Sequence, residues 1–267
     1  VSPRHLSTDE PEVLALLRDA PAVAFGIDYD GTLAPIVARP ELATATDEVV
    51  ACVERLAEHP RDLVAIVTGR SVEDLWERAR TRRTWVLGRH GAQIAAPGGE
   101  ARLADGLDEA RLVDGLSAVR AGLEEALGEI AGADGAFIED KGAGFALHTR
   151  GVSIDTERAL RDRLGTLAAE LDTHVLLRGK RVLELRPRGV DKGQAFTALR
   201  AAHAPRAQPL YIGDDTTDED AFRALGPDAV TIRVSDDPQV ASAARYRVDD
   251  PAGALAFLSA VSRVRHG

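Results

Sequence analysis

The sequence predicts an α/β fold: a Rossmann-like core with a mostly parallel sheet, interrupted by an inserted α+β segment with an antiparallel sheet. Three observations carry this. Short apolar, β-branched runs alternate with helical patterns at both ends of the chain, as in sheets buried on both faces. The middle of the chain carries strands that alternate apolar and polar residues, the signature of a sheet with one covered and one open face. The 267 residues suffice for one large core with a smaller partner.

In the core, apolar runs predict strands over residues 23–28, 63–68, 85–90, 210–214 and 230–234. Helical spacing predicts helices over 46–59, 71–80, 192–203 and 218–224, and a last helix from Pro251, a residue suited to the first helical position, through Leu258. The insert reads as a helix over 109–130, strands over 136–141 and 144–150, a helix over 154–171, and strands over 174–178 and 181–186. Phe145, Leu147, Leu183 and Leu185 are expected to face its helices, leaving Glu139, Lys141, His148, Arg150, Glu184 and Arg186 on the open face. Gly- and Pro-rich stretches at 96–99 and 186–189 are the natural hinges, so the expected division is a core of 1–104 and 188–267 and a cap of 105–187.

Composition excludes several classes. A formal net charge of -10 disfavours nucleic acid and anionic membranes, which call for a basic patch. No apolar run approaches the roughly 20 residues of a membrane span, and residues 1–19 lack a secretory pattern, so a cytoplasmic protein is expected. Cys52 is the single cysteine and reads as a buried thiol in a reducing compartment. The chain contains no Met, so Val1 reads as an alternative start or a processed end.

The strongest chemical signal is Asp28-Tyr29-Asp30-Gly31-Thr32, directly after the first core strand, where ligands collect in open α/β sheets. Residues two apart face the same side, so both carboxylates can approach one centre, and Gly31 permits a sharp turn. The segment alone also fits an Asx turn with Thr32 as a helix cap. Thr68-Gly69-Arg70-Ser71 ends a second strand; Ser71, with Asp74 three residues on, is better read as a cap, and Arg70 as a substrate contact or a solvated side chain. Val190-Asp191-Lys192-Gly193 precedes a core helix, and Gly213-Asp214-Asp215-Thr216-Thr217-Asp218-Glu219-Asp220 follows another strand with a carboxylate density that calls for a cation. Glu219 and Asp220 are accounted for by the positive end of the 218–224 helix.

These four motifs, in this order, resemble those of the haloacid dehalogenase superfamily of phosphohydrolases. The resemblance implies Asp28 as nucleophile and Asp30 as the acid that protonates the leaving oxygen and then serves as base for water. It gives Thr68 to the phosphoryl oxygens and Lys192 to charge neutralisation, and it implies Mg²⁺ held by Asp28, the Asp30 carbonyl and Asp214, with Asp215 and Asp218 adjoining; Asp215 is counted among the metal-binding residues. The roles agree with elementary chemistry, since a covalent carboxylate intermediate splits a difficult hydrolysis into two easier steps, and an alkoxide leaves poorly unless protonated.

Within the superfamily the chain most resembles the trehalose-6-phosphate phosphatases, through Gly88-Arg89-His90-Gly91, Ile138-Glu139-Asp140-Lys141-Gly142, Leu147-His148-Thr149-Arg150 and Leu185-Arg186-Pro187-Arg188-Gly189 besides the motifs above. This implies a disaccharide phosphate as substrate, with Glu139 and Lys141 on sugar hydroxyls and His148 and Arg150 as weaker candidates; Arg70 joins the substrate-binding set from its own position, not from the resemblance. The open sheet face independently groups Glu139, Lys141, His148 and Arg150, which would also suit a solvated, salt-bridged surface. Two other readings stay open: a phosphatase for mannosylglycerate or sucrose phosphate, and a catalytically inactive binding or regulatory module.

Overall fold

The computed structural model describes residues 2–7, 10–37, 42–107, 115–140, 144–179 and 181–267. In chain order the first part of the core runs β1 (Arg4–His5), α1 (Pro11–Asp19), β2 (Val23–Asp28), α2 (Asp47–Leu56), β3 (Leu63–Val67), α3 (Val72–Ala79), β4 (Trp85–Gly88), β5 (Gln93–Ala95) and β6 (Arg102–Leu103). The insert follows as α4 (Leu116–Glu129), β7 (Phe137–Asp140), β8 (Phe145–His148), α5 (Ile154–Ala168), β9 (His174–Gly179) and β10 (Val182–Pro187). The chain then returns through α6 (Lys192–His203), β11 (Gln208–Gly213), α7 (Asp218–Ala224), β12 (Val230–Val234), β13 (Tyr246–Val248) and α8 (Pro251–His266). Two compact units result, Val1–Arg102 with Asp191–Gly267, and Leu103–Val190.

The nine-stranded sheet has the order β1-β13-β12-β11-β2-β3-β4-β5-β6. Every pairing from β1 through β4 is parallel, and β5 runs antiparallel to β4. β2 lies between β3 and β11, so its carboxyl end sits at the switch point of the sheet. Strand alternation fills both faces. Val23, Phe25 and Ile27 join Leu210 and Ile212 in the core under α1, α2, α3 and α8, while Ala24 and Tyr211 face Phe196 and Leu199 of α6 and Phe222 of α7. Gly26 completes that second face, because a Cβ there would lie 2.4 Å from the Tyr211 ring.

Side-chain caps delimit the helices, and Ser71 is the one among them that the sequence reading named. Thr46, Ser71, Asp191 and Asp250 each accept a backbone N–H of the first turn with their side chains. Several boundaries move by one to three residues, and two differences have a clear local cause. β4 stops at Gly88, not at 90, because Arg89 and His90 turn into left-handed conformations (φ 49° and 56°) and send their amides to the Arg70 and Thr68 carbonyls. The last helix continues past Leu258 to His266, burying Val261 on the same face as Phe257 and Leu258. The sequence reading missed β1, α1, β5, β6 and β13; four of these are strands of two or three residues, too short to show a period.

The insert forms a four-stranded antiparallel sheet, β7-β8-β10-β9. Its register sets Phe145 opposite Leu185 and Leu147 opposite Leu183, and all four are buried with Leu116, Val119 and Leu123 of α4 and Leu160 and Leu164 of α5. The described part of the expected 109–130 helix begins at Leu116. Among the described residues no helix is long and apolar enough to cross a membrane.

Candidate active site

Asp28 is the last residue of β2, and its place in the alternation turns it to the face covered by α6. Lys192, the first residue of α6, donates from Nζ to Asp28 Oδ1 at 2.6 Å and to Asp218 Oδ1 at 2.8 Å. Both side chains are buried, Asp28 to 3% and Lys192 to 2% exposure, so this ion pair is not a surface contact. Thr32 Oγ1 donates to Asp28 Oδ2 at 3.2 Å across the turn that Gly31 makes with φ 80°. A Cβ at Gly31 would fall 2.1 Å from Asp214 Oδ2; glycine is what lets the Asp214 carboxylate reach this position.

Asp28, Asp214 and Asp218 form an acidic group whose ligand oxygens lie within 4.8 Å of one another. Asp218 is the most thoroughly engaged of the three. Its Oδ1 accepts from Lys192 Nζ and from Tyr211 Oη (3.0 Å), and its Oδ2 accepts the Asp215 amide (3.0 Å). Burial, followed by the Asp218 charge, pushes the Asp28 carboxyl well above the ordinary carboxylate range despite Lys192. Burial, then Asp218 and Asp215, raises Asp214 to about 7. For Lys192 burial works in the opposite sense, but the Asp218 and Asp28 carboxylates outweigh it and hold the ammonium above the ordinary lysine value. Buried carboxylates that resist ionisation when left to themselves are the donor set a hard divalent cation stabilises, so these residues fit Mg²⁺. Asp215, expected from the sequence to ligate, is exposed and outside the group; the turn into α7 directs it outward, and Asp218 stands third in its place.

Thr68 follows β3, whose Val67 pairs with Asp28, and is fully buried; its Oγ1 accepts the Arg70 amide at 3.1 Å. Asp30 has a partner of its own. Arg70 grips it with a two-armed fork, Nε to Oδ2 at 2.8 Å and Nη2 to Oδ1 at 2.7 Å, while Arg70 Nη1 donates to Asp74 Oδ2 at 2.6 Å. Ser71 caps α3 by accepting the Asp74 amide, as expected.

In the insert, Glu139 Oε2 lies 2.8 Å from His148 Nε2, and His148 stacks on Phe137 with centroids 4.6 Å apart. Arg150 falls beyond β8 in an exposed turn, because the strand ends at His148, and so leaves the sheet face the alternation assigned it. Lys141 lies outside the described residues.

Three participants escaped the sequence reading. Tyr211 carries only the weak signal of a hydroxyl on the strand position that faces α6. Asp74 sits one helical turn from Arg70. Glu219 does more than complement a helix end: it is buried, accepting from Ser242 Oγ (2.5 Å) and the Ala243 amide (2.8 Å), while Arg233 holds the Asp215 carbonyl at 2.5 Å. Together these tie the carboxylate-rich loop to β12 and to the segment before β13.

The sequence profile of the Trehalose-phosphatase family matches residues 26–252. The trehalose-phosphate phosphatase of Mycobacterium marinum is 36% identical over 272 residues, which cover 95% of this chain and 66% of that protein, so the chain spans a little less than two thirds of this relative's length. Among solved structures, the C-terminal domain of trehalose-6-phosphate phosphatase from Candida albicans superposes with a TM-score of 0.83 at 21% identity, covering 98% of this chain and 99% of that one. A haloacid dehalogenase-like hydrolase from Bacillus subtilis gives a TM-score of 0.58 at 17% identity, covering 88% and 98%. The chain shares the fold of both structures.

Proposed function

The chain belongs to the trehalose-phosphatase family, and from that premise we propose that it hydrolyses trehalose 6-phosphate to trehalose and inorganic phosphate through an aspartyl-phosphate on Asp28. One observation carries the reading: residues 28, 192, 214 and 218, scattered along the sequence, meet with Lys192 Nζ 2.6 Å from Asp28 Oδ1 and three carboxylates in one group.

A carboxylate oxygen of Asp28 attacks phosphorus, and the bond from phosphorus to the sugar oxygen breaks with its electron pair going to that oxygen. Asp30 supplies the proton that turns the alkoxide into a hydroxyl. Water then attacks the phosphoenzyme, giving its proton back to Asp30, and the bond from phosphorus to Asp28 breaks. Lys192 and Thr68 stabilise negative charge on the equatorial oxygens, the larger part of catalysis in phosphoryl transfer. Asp28, Asp214 and Asp218, with the Asp30 carbonyl, would hold Mg²⁺, which would supply neutralisation of phosphate charge when bound. Glu139 and His148, already joined by a hydrogen bond, are assigned to sugar hydroxyls together with Lys141, and Arg150 is the weakest member of that set.

Phosphate release from trehalose 6-phosphate and glucose 6-phosphate, with Mg²⁺ and with EDTA, tests the proposal. Turnover restricted to the disaccharide phosphate and to the Mg²⁺ samples is expected. Comparable turnover of many monosaccharide phosphates would assign another sugar phosphate, and activity of Asp28→Asn near that of the unaltered protein would remove the covalent route.

A further inference from the structure

Arg70 reads from the sequence as a substrate contact or a solvated side chain, yet all three of its guanidinium nitrogens donate within the protein. It stands at the head of a charged column. Residues 70, 74 and 78 are spaced by four, and Asp74, gripped from one side by Arg70 Nη1, is gripped from the other by Arg78 through Nε (3.0 Å to both oxygens) and Nη2 (2.6 Å). The Arg70 guanidinium also lies 5.6 Å from the Tyr29 ring centroid, and that ring is immobilised because its hydroxyl donates to the Ala43 carbonyl and accepts the Ala45 amide. The backbone of Arg70 is held at both ends, its amide by Thr68 Oγ1 and its carbonyl by the Arg89 amide.

Asp30, in contrast, follows the end of β2 with its side chain 41% exposed, and only an isolated bridge to Ala34 holds its backbone. The planar fork fixes both its oxygens at once, which a lysine in the same place would not do. It uses one lone-pair direction on each oxygen and leaves a second for a proton or a hydrogen bond. A proton donor must sit within hydrogen-bond reach of the leaving oxygen, so an untethered Asp30 would spend much of its time out of range.

We propose that Arg70, braced by Asp74 and Arg78, is a positioning residue that aims the Asp30 carboxyl group at the leaving oxygen, and that it does not bind the substrate. The proposal rests on the reading of Asp30 as general acid. Its test compares kcat/KM for trehalose 6-phosphate, whose alkoxide leaving group needs a proton, with kcat/KM for p-nitrophenyl phosphate, whose leaving group does not. Arg70→Lys keeps the charge and loses the fork. It is expected to lower kcat/KM on the sugar phosphate by about 100-fold, the lower end of what acid catalysis supplies, with a loss on the aryl phosphate at least tenfold smaller and the change lying in kcat, not in KM. Asp74→Asn, which loosens the brace and leaves Arg70 in place, is expected to give the same selectivity at about a tenth of the size, and it carries the test if Arg70→Lys does not fold. Adding Arg70→Lys to Asp30→Asn should bring no further loss on the sugar phosphate. Equal losses on the two substrates, a change confined to KM, or additive losses in the double variant would overturn the proposal. Asp30→Asn by itself separates the two claims: if it fails to discriminate between the substrates, the role of Asp30 falls, whatever Arg70 does.

Discussion

Lys192 is the residue on which the local electrostatics turn. Its ammonium is the cation that Asp28 and Asp218 share, at 2.6 and 2.8 Å, in a site from which water is almost excluded. Lys192→Met keeps the volume and leaves those carboxylates facing each other; breaking a buried pair from one side costs about 3–5 kcal/mol, and turnover should fall by about 1,000-fold or more. Urea unfolding with EDTA present checks the first figure, and phosphate release checks the second. Tyr211→Phe is the finer probe. It preserves the edge-to-face packing with Phe196 and Phe222 while removing the donor to Asp218, a hydrogen bond to a charged group worth about 1.5–3 kcal/mol. A variant as stable as the parent would mean that the Tyr211 hydroxyl contributes nothing to holding Asp218.

At the scale of elements, glycines and one buried arginine decide how the pieces seat. A Cβ at Gly193 would lie 2.5 Å from the Asp220 carbonyl, backbone against backbone, so the start of α6 and the start of α7 approach this closely only because residue 193 is glycine. Gly193→Ala is expected to separate the two helix starts that carry Lys192 and Asp218, lowering turnover together with Tm by an overpacking cost of about 1–3 kcal/mol. At the opposite ends of the strands, Arg265 of α8 donates to both oxygens of Asp62 and to the Leu17 and Ala20 carbonyls, while Asp62 accepts the Val23 amide. Arg265→Leu would leave buried Asp62 without its permanent charge partner, facing the His59 ring at 3.1 Å. Stability should drop by about 3–5 kcal/mol in urea titration, with kcat per folded molecule unchanged because the acidic group proposed to carry the chemistry lies at the other end of β2.

For the whole molecule, the acidic group makes folding depend on pH and on cation. The Asp214 carboxyl keeps its proton up to about 7 in the folded chain, whereas in the unfolded chain it ionises near an ordinary carboxylate value. With the folded value the higher one, this group weighs nothing below both values, opposes folding increasingly between them, and opposes it fully above about 7. A bound cation relieves that opposition. The rise in Tm on adding Mg²⁺ should therefore be small at about pH 5 and reach a plateau above about pH 7.5; a rise independent of pH would dissociate Asp214 from the ion. The sequence alone determined the parallel core, the alternating insert and the order of the motifs, because hydrophobic period, caps and turn glycines are local properties: β2, α6, α7 and β12 have the bounds their patterns predict. It also placed Asp28, Lys192 and Asp214 near strand or helix ends, where chemistry collects in such sheets. Tertiary structure decided who meets whom. That Asp218 and not Asp215 completes the acidic group, that Tyr211 reaches Asp218, and that Arg70 grips Asp30 all depend on side-chain directions across neighbouring elements, and distances between residues far apart in a chain are fixed only when the elements pack.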